Sequence, residues 1–134
     1  MKIAAIDVGT NSFHLLIGRV TSDGRVESID RAKEMVRLGD SAFTGGGVLS
    51  PEAFNRAGEA LRTFRRLAER HGCDALVAVA TSAVRESQNG GEFVRAMRDQ
   101  TGVDLQVISG DEEARLIYLG ARTTLGLNGK RALL

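Results

Sequence analysis

The feature that most constrains the fold of this chain is a short polar segment, Asp7-Val8-Gly9-Thr10-Asn11-Ser12, between two apolar runs at residues 3–6 and 13–17. Two apolar runs joined by so short a turn are typical of neighbouring strands. Gly9 permits a tight turn because it has no Cβ, and Asn11 tolerates a left-handed backbone. Such a turn lets successive N–H groups converge on an anion. We therefore predict a phosphate-binding loop made by Gly9, Thr10, Asn11 and Ser12, with Thr10 and Ser12 adding hydroxyl donors.

A carboxylate lies in the same segment. Asp7 would repel a bound phosphate unless a divalent cation or an ordered water lies between the two groups. The sequence therefore predicts a loop that works with a metal ion, which Asp7 binds directly or through water.

Composition and charge fit one compact domain over residues 1–134, with 43% apolar and 26% charged residues. The formal net charge of +1 argues against the bulk attraction by which general nucleic-acid binders hold their partner. Cys73 is the only cysteine, which excludes an internal disulfide and suits a reducing cytoplasm. We expect neither a signal peptide nor a membrane-spanning stretch, since the first apolar run is short and closed by Asp7, and therefore no membrane partner. The small net charge leads us to expect no nucleic-acid partner.

Hydrophobic periodicity predicts the element order β-β-β-α-β-α-β-α. The first three strands are expected at residues 3–7, 13–20 and about 25–37, and the charges of the third are typical of a sheet edge. A glycine-rich loop at residues 44–47 precedes a long helix that begins at Ser50-Pro51-Glu52, since serine suits the N-cap and proline the first helical position. Later elements are a buried parallel strand at 75–80, a helix ending at Thr101-Gly102, a strand at about 104–108, and a last helix with Ala114, Ile117 and Ala121 on its apolar face.

Three polar segments each begin where a predicted strand of the parallel part of the sheet ends, at Asp7, Thr81 and Ser109. In open α/β sheets, ligands bind beyond the carboxyl ends of such strands. We therefore expect the three segments to meet at one rim of the sheet.

Capping explains the other polar residues at the start of the last helix but not Glu113. Ser109 and Glu112 have the spacing of a capping box, which accounts for both residues structurally. Glu113 takes no part in the cap and points another way around the helix axis. A carboxylate beside a phosphate can orient and deprotonate an attacking water, so Glu113 is a candidate catalytic residue.

Arg85 has two interpretations. It can pair with Glu86 or Glu92 on the surface, where such ion pairs contribute little. Alternatively, it lies one turn into a helix that begins at the proposed rim, where a guanidinium can hold phosphate oxygens in bidentate fashion. We read Cys73 and Tyr118 as packing residues.

Three segments, in this order, resemble the exopolyphosphatase and guanosine pentaphosphate phosphohydrolase family: DVGTNSFHLLI at 7–17, ATSAVR at 80–85 with Asn89, and ISGDEEARLIYLG at 108–120. The resemblance implies an α/β fold, the RNase H-like lobe of the actin, Hsp70 and sugar-kinase superfold, with a five-stranded mixed sheet. It also implies Mg²⁺-dependent release of terminal orthophosphate from inorganic polyphosphate, or removal of the 5′ γ-phosphate of guanosine pentaphosphate. By similarity, Glu113 is the catalytic base, Arg85 a phosphate ligand, and residues 7–12 the first phosphate loop.

Family members continue into a second phosphate loop, an Asp-x-Gly-Gly-Gly-Ser segment on a second lobe across the cleft. That segment does not occur in residues 1–134. We therefore expect this chain to be an amino-terminal lobe, inactive or weakly active alone, whose natural partner is the second lobe of the same protein. The alternative is a non-catalytic module that binds phosphate or associates with itself, for example as a homodimer, because a lobe without its partner exposes the face that should pack against it.

Overall fold

The computed structural model describes residues 1–44 and 46–125 of this chain. The strands are β1 (Lys2–Val8), β2 (Ser12–Val20), β3 (Val26–Met35), β4 (Ala75–Ala80) and β5 (Leu105–Val107). The helices are α1 (Leu38–Thr44), α2 (Pro51–Arg70), α3 (Ser82–Arg85), α4 (Gly90–Thr101) and α5 (Gly110–Leu125). Among these helices, none is both long and apolar enough to cross a bilayer.

The five strands form one mixed sheet, as the family resemblance implies, and their order in the sheet is β3-β2-β1-β4-β5. β1 and β2 are antiparallel, as are β2 and β3, whereas β1, β4 and β5 run parallel. The charged strand β3 is an edge, also as predicted. Because three strands run in the same direction, their carboxyl ends meet along one rim of the sheet, where the loop after β1 lies beside the starts of α3 and α5.

The core lies between one face of the sheet and the helices α2 and α4. Ser50 caps α2 by accepting a hydrogen bond from the Ala53 N–H at 3.1 Å, and Gly102 ends α4 in a left-handed conformation with φ of 72°. Both helix ends agree with the sequence prediction. The largest side chains buried in this core are Phe13, Phe64, Phe93, Leu61, Ile17 and Met97.

The opposite face of the sheet is partly open, and the sequence does not predict this. The continuous apolar run of β4 predicts a strand that is buried on both faces of the sheet, yet 48% of Val77 is exposed. The predicted apolar face of α5 is also largely in solvent, since 58% of Ile117 is exposed and Ala114 is exposed as well. The prediction that Tyr118 is a packing residue is wrong, because 41% of it is exposed. Near the rim, Leu116 and Ile117 of α5 border the same cavity as Val79. The prediction for Ala121 concerns a side chain outside those described.

Two short helices, α1 and α3, are absent from the predicted order. Both are too short to produce a helical period in the sequence, with seven and four residues. The loop predicted at residues 44–47 overlaps the end of α1 at residue 44, and Gly46 and Gly47 have positive φ angles of 79° and 77°, as a loop requires. Gly45 lies outside the described residues.

Candidate active site

The segment between β1 and β2 is a tight turn closed by a hydrogen bond from the Gly9 N–H to the Ser12 carbonyl at 3.2 Å. A Cβ on Gly9 would lie only 2.8 Å from that carbonyl oxygen, so the turn requires glycine for space. Asn11 tolerates a left-handed backbone but does not adopt one in this turn. Among the described residues other than glycine, positive φ occurs at Arg37, with φ of 56°.

The connection between β3 and α1 determines how the loop presents its polar groups. The Asn11 carbonyl accepts hydrogen bonds from the Val36 and Arg37 N–H groups at 3.0 and 2.8 Å, and the Thr10 carbonyl accepts one from Gly39 at 2.9 Å. The N–H groups of Thr10 and Asn11 have no acceptor among the residues that the structure describes. With its carbonyls occupied on one side, the loop offers amide donors to an external anion.

The second polar segment contacts this loop directly. The Thr10 and Ser82 hydroxyl oxygens are 2.8 Å apart and share a hydrogen bond. Thr81 is buried, and its N–H donates to the Val8 carbonyl at 3.2 Å, which fixes the end of β4 to the end of β1. The start of α3 is therefore held against the loop that follows β1.

Arg85 extends from α3 towards the third polar segment. Its Nη1 donates to the Ile108 carbonyl at 2.8 Å and lies 3.7 Å from a carboxylate oxygen of Glu113. Its Nη2 lies 3.8 Å from a carboxylate oxygen of Glu86, so the predicted surface pair is also present. The Arg85 side chain is only 28% exposed. A guanidinium has five N–H donors, so several remain for a ligand.

Only half of the predicted capping box forms at the start of α5. The Ser109 hydroxyl accepts a hydrogen bond from the Glu112 N–H at 3.1 Å, as expected of an N-cap. The Glu112 carboxylate does not return to Ser109, because it makes a bidentate pair with Arg115 at 2.7 and 2.8 Å. Glu112 and Glu113 therefore point to different partners, and Glu113 faces Arg85.

Asp7, at the end of β1, has a raised pKa, chiefly because protein atoms displace water from its carboxylate. The nearby His14 acts in the opposite direction, and the negative charge of Glu113 raises the pKa of Asp7 further. Asp7 and Glu113 border a common cavity of about 260 Å³, together with Thr81 and Ile108. Two carboxylates that interact unfavourably through one cavity are a suitable environment for a cation.

A profile of the Ppx/GppA phosphatase family matches residues 16–134. The chain belongs to this family. The resemblance to this family is thereby confirmed.

Solved structures agree with membership of the Ppx/GppA family. The Aquifex aeolicus PPX-GPPA enzyme is 28% identical with a TM-score of 0.87, and the match covers 94% of this chain and 42% of that one. An exopolyphosphatase from Cytophaga hutchinsonii is 34% identical with a TM-score of 0.85, covering 91% of this chain and 38% of that one. This chain thus spans about two fifths of the length of these structures.

A more distant likeness concerns the fold alone. Thermus thermophilus RuvC is 13% identical with a TM-score of 0.51, and the match covers 98% of this chain and 82% of that one. This Ppx/GppA lobe therefore has the RNase H-like fold, with the mixed five-stranded sheet that the sequence predicts.

Two polar residues of this Ppx/GppA lobe lie beside the loop but are not singled out from the sequence. Ser82 shares its hydrogen bond with Thr10, and the Nε2 of His14 lies 3.0 Å from the Ser12 hydroxyl. The sequence does contain a signal for each residue. Ser82 comes directly after the end of a parallel strand, and His14 is two residues after Ser12, so both are expected near the loop. Asn89, part of the quoted family segments, has a structural role, since its side chain makes two hydrogen bonds with the Leu49 backbone at 2.8 and 2.9 Å.

Proposed function

We propose that this chain is the amino-terminal lobe of a phosphoanhydride hydrolase. The reaction is release of terminal orthophosphate from inorganic polyphosphate, or removal of the 5′ γ-phosphate of guanosine pentaphosphate. The observation that carries the proposal is the 3.7 Å approach of the Arg85 guanidinium to the Glu113 carboxylate, at the rim that also holds the Gly9 turn. Arg85, which can bind the substrate, and Glu113, the candidate base, thus lie at the same rim as a loop whose amide N–H groups are available to an anion.

Binding of the terminal phosphate is assigned to the loop and to Arg85. The N–H groups of Thr10 and Asn11 and the hydroxyls of Thr10 and Ser12 supply donors on one side. Arg85 supplies charge-assisted hydrogen bonds on the other, and its bond to Ile108 fixes the direction of the guanidinium. Such a clamp positions the phosphorus atom, which is the main requirement in phosphoryl transfer.

Proton transfer is assigned to Glu113. Its carboxylate accepts a proton from a water whose oxygen forms a bond to the terminal phosphorus, while the bridging P–O bond breaks. The bridging oxygen leaves on the shortened chain, and the new P–O bond becomes part of orthophosphate. The negative charge that develops on the phosphoryl oxygens is stabilised by Arg85 and the loop amides.

Magnesium is part of the proposal. Asp7 and Glu113 border one cavity, although no group of three or more metal-ligating side chains occurs in the described part of the chain. The Asp7 carboxylate fits Mg²⁺, which commonly takes one or two carboxylates and completes its shell with water and substrate phosphate, and Glu113 stays free to accept the proton. Asp7 would hold the ion directly or through water. The bound ion would offset the charge of the substrate phosphates.

The second lobe enters the proposal because the matched structures are more than twice as long as this chain. The rim that holds Arg85 and Glu113 is open to solvent in this lobe, and Glu113 is 36% exposed. A partner lobe that covers the rim would exclude bulk water and strengthen the electrostatic contacts within it.

The test compares orthophosphate release from polyphosphate and from guanosine pentaphosphate, with Mg²⁺, for the wild type, Glu113→Gln and Glu112→Gln. The two glutamates are neighbours on α5, but Glu112 pairs with Arg115 and lies outside the cavity lining. Loss of release in Glu113→Gln alone supports the proposal. Measurable release that is equal in Glu113→Gln and the wild type contradicts the role of Glu113, and the substrate that is hydrolysed faster identifies the preferred anhydride.

A non-catalytic phosphate-binding or self-associating module is the second candidate. The exposure of Val77 and Ile117 favours it, because such apolar surface invites association. This candidate predicts no release by any variant, together with orthophosphate binding that Arg85→Gln weakens or dimerisation visible by sedimentation velocity.

A further inference from the structure

The open face of the sheet contains a second cavity, of about 530 Å³, beside the first. Asp7 and Val79 border both cavities, so the two lie side by side on this face. The polar lining of the second cavity is Asp7, His14, Arg31 and Lys33, and its floor is apolar. The proposed function uses neither Arg31 nor Lys33.

Strand alternation sorts the charges of β3 between the two faces of the sheet. Asp30 points to the α2 side, where its carboxylate lies 3.0 Å from His71 Nε2, and Glu34 borders a cavity on that side with Arg56. Arg31 and Lys33 point to the open face. The edge strand therefore presents two cations, separated from its acids, to the second cavity.

These two cations have no carboxylate within ion-pair distance among the described residues. The one side-chain contact of Arg31 there is a weak hydrogen bond from its Nε to the Ser28 hydroxyl at 3.4 Å. By contrast, Arg65, Arg98 and Arg115 each pair with an acid on or near their own helix. Arg31 and Lys33 thus keep their charge available for an external anion.

The register connects these cations to the proposed active site. Lys33 is paired with His14, which is paired with Asp7, so the three residues form one row across β3, β2 and β1. Neighbouring strands are about 4.8 Å apart, which puts Lys33 roughly 10 Å from Asp7 along this row. Arg31 occupies the next row, opposite Leu16. The apolar floor has a low dielectric constant, so it focuses the positive electrostatic potential of Arg31 and Lys33 on an anion above it.

We propose that Arg31 and Lys33, with His14 beside them, form a second anion subsite that binds inner phosphates of a linear polyphosphate whose terminal phosphate occupies the Gly9–Ser12 loop. This inference rests on the proposed function and refines its substrate class. The loop adjoins this row, because the Ser12 hydroxyl lies 3.0 Å from His14 Nε2 and His14 is paired with Lys33. A linear chain of phosphates would therefore extend from the loop to the two cations, whereas a single orthophosphate would occupy only the loop.

The test measures dissociation constants of the 134-residue chain for orthophosphate, tripolyphosphate and a longer polyphosphate by calorimetry at fixed ionic strength. The variant is Arg31→Gln/Lys33→Gln, and the matched control is Arg66→Gln/Arg70→Gln, which removes the same charge from the solvent side of α2. We expect the variant to weaken polyphosphate binding about tenfold, or about 1.4 kcal/mol, and to leave orthophosphate affinity unchanged. The control should change neither.

An equal loss in the variant and the control would overturn the proposal, because general electrostatic attraction would then explain the binding. No loss in the variant would also overturn it, as would a change in sedimentation coefficient without a change in polyphosphate affinity, which would make this face an interface between copies of the chain. Failure of the proposed function has a different signature. Arg85→Gln and Glu113→Gln would then leave orthophosphate binding and release unaffected, whatever the length dependence at Arg31 and Lys33.

Discussion

The hydroxyl oxygens of Thr10 and Ser82 lie 2.8 Å apart although 72 positions separate the two residues in sequence. This hydrogen bond joins the loop after β1 to the start of α3, the helix that carries Arg85. The two parts assigned to phosphate binding are therefore connected through one pair of hydroxyl groups.

Loss of either hydroxyl should weaken phosphate binding. We expect Thr10→Val and Ser82→Ala each to raise the orthophosphate dissociation constant about two- to tenfold, since a net hydrogen bond contributes about 0.5–1.5 kcal/mol. Thr10→Ser retains the hydroxyl and should bind like the wild type. In a calorimetric double-mutant cycle, the combined variant should be weaker by less than the product of the two single effects, and strict additivity would show that the two groups act independently.

Adjacent glycines at the start of α4 should respond differently to alanine. A Cβ on Gly90 would lie 2.2 Å from the Val84 carbonyl oxygen, whereas on Gly91 it would meet only the end of the Arg95 side chain at 3.5 Å. We expect Gly90→Ala to lower the free energy of unfolding by about 1–3 kcal/mol, as overpacked sites do. Gly91→Ala should be neutral or stabilising because alanine favours helix. Urea denaturation measures both, and equal stabilities would contradict the packing of α3 against α4.

The raised pKa of Asp7 predicts a pH-dependent effect of Asp7→Asn on stability. A carboxyl whose folded pKa exceeds its unfolded value favours folding when protonated, and that advantage is lost as pH rises through the folded pKa. Asp7→Asn should therefore be more stable than the wild type at pH 7, and the difference should vanish near pH 3, below the ordinary pKa of about 4. Asp99→Asn, on the surface of α4, is the control. A constant difference at both pH values would contradict the assignment.

The lowered pKa of Asp30 predicts that the effect of Asp30→Asn on stability has the opposite sign to that of Asp7→Asn. The pKa of Asp30 is lowered first by the hydrogen bond from the Arg31 N–H at 2.8 Å and then by the hydrogen bond to His71. A lowered carboxyl pKa stabilises the fold above the unfolded pKa, and this stability is lost as pH falls through the folded one. We expect Asp30→Asn to be less stable than the wild type at pH 6, with the deficit shrinking towards pH 2. Glu27→Gln, on the same strand, should show no such trend in thermal unfolding.

Features that depend on local sequence were predictable. The cap of α2 at Ser50, the left-handed end of α4 at Gly102 and the edge position of β3 each follow from residue types within a few positions. The convergence of Asp7, Arg85 and Glu113 on one rim follows from topology, because parallel strands bring their carboxyl ends together. The chemical roles of these residues remain predictions.

Features that depend on distant partners were not predictable. The left-handed residue that supports the loop is Arg37, because its N–H reaches the carbonyl of Asn11 across the sheet. Glu112 satisfies the spacing of a capping box, but Arg115 competes for its carboxylate with a bidentate ion pair. The exposure of Val77 depends on what covers that face of the sheet, which an apolar run cannot indicate.

The support of the loop by residues 36–39 has a mechanical consequence. The same connection leads into α1, and α1 packs against α3, which carries Arg85. A displacement of α1 would therefore move the loop and Arg85 together, because the Gly39 N–H of α1 donates a hydrogen bond to the Thr10 carbonyl and α1 packs against α3. The two parts of the phosphate site would then open or close as one unit.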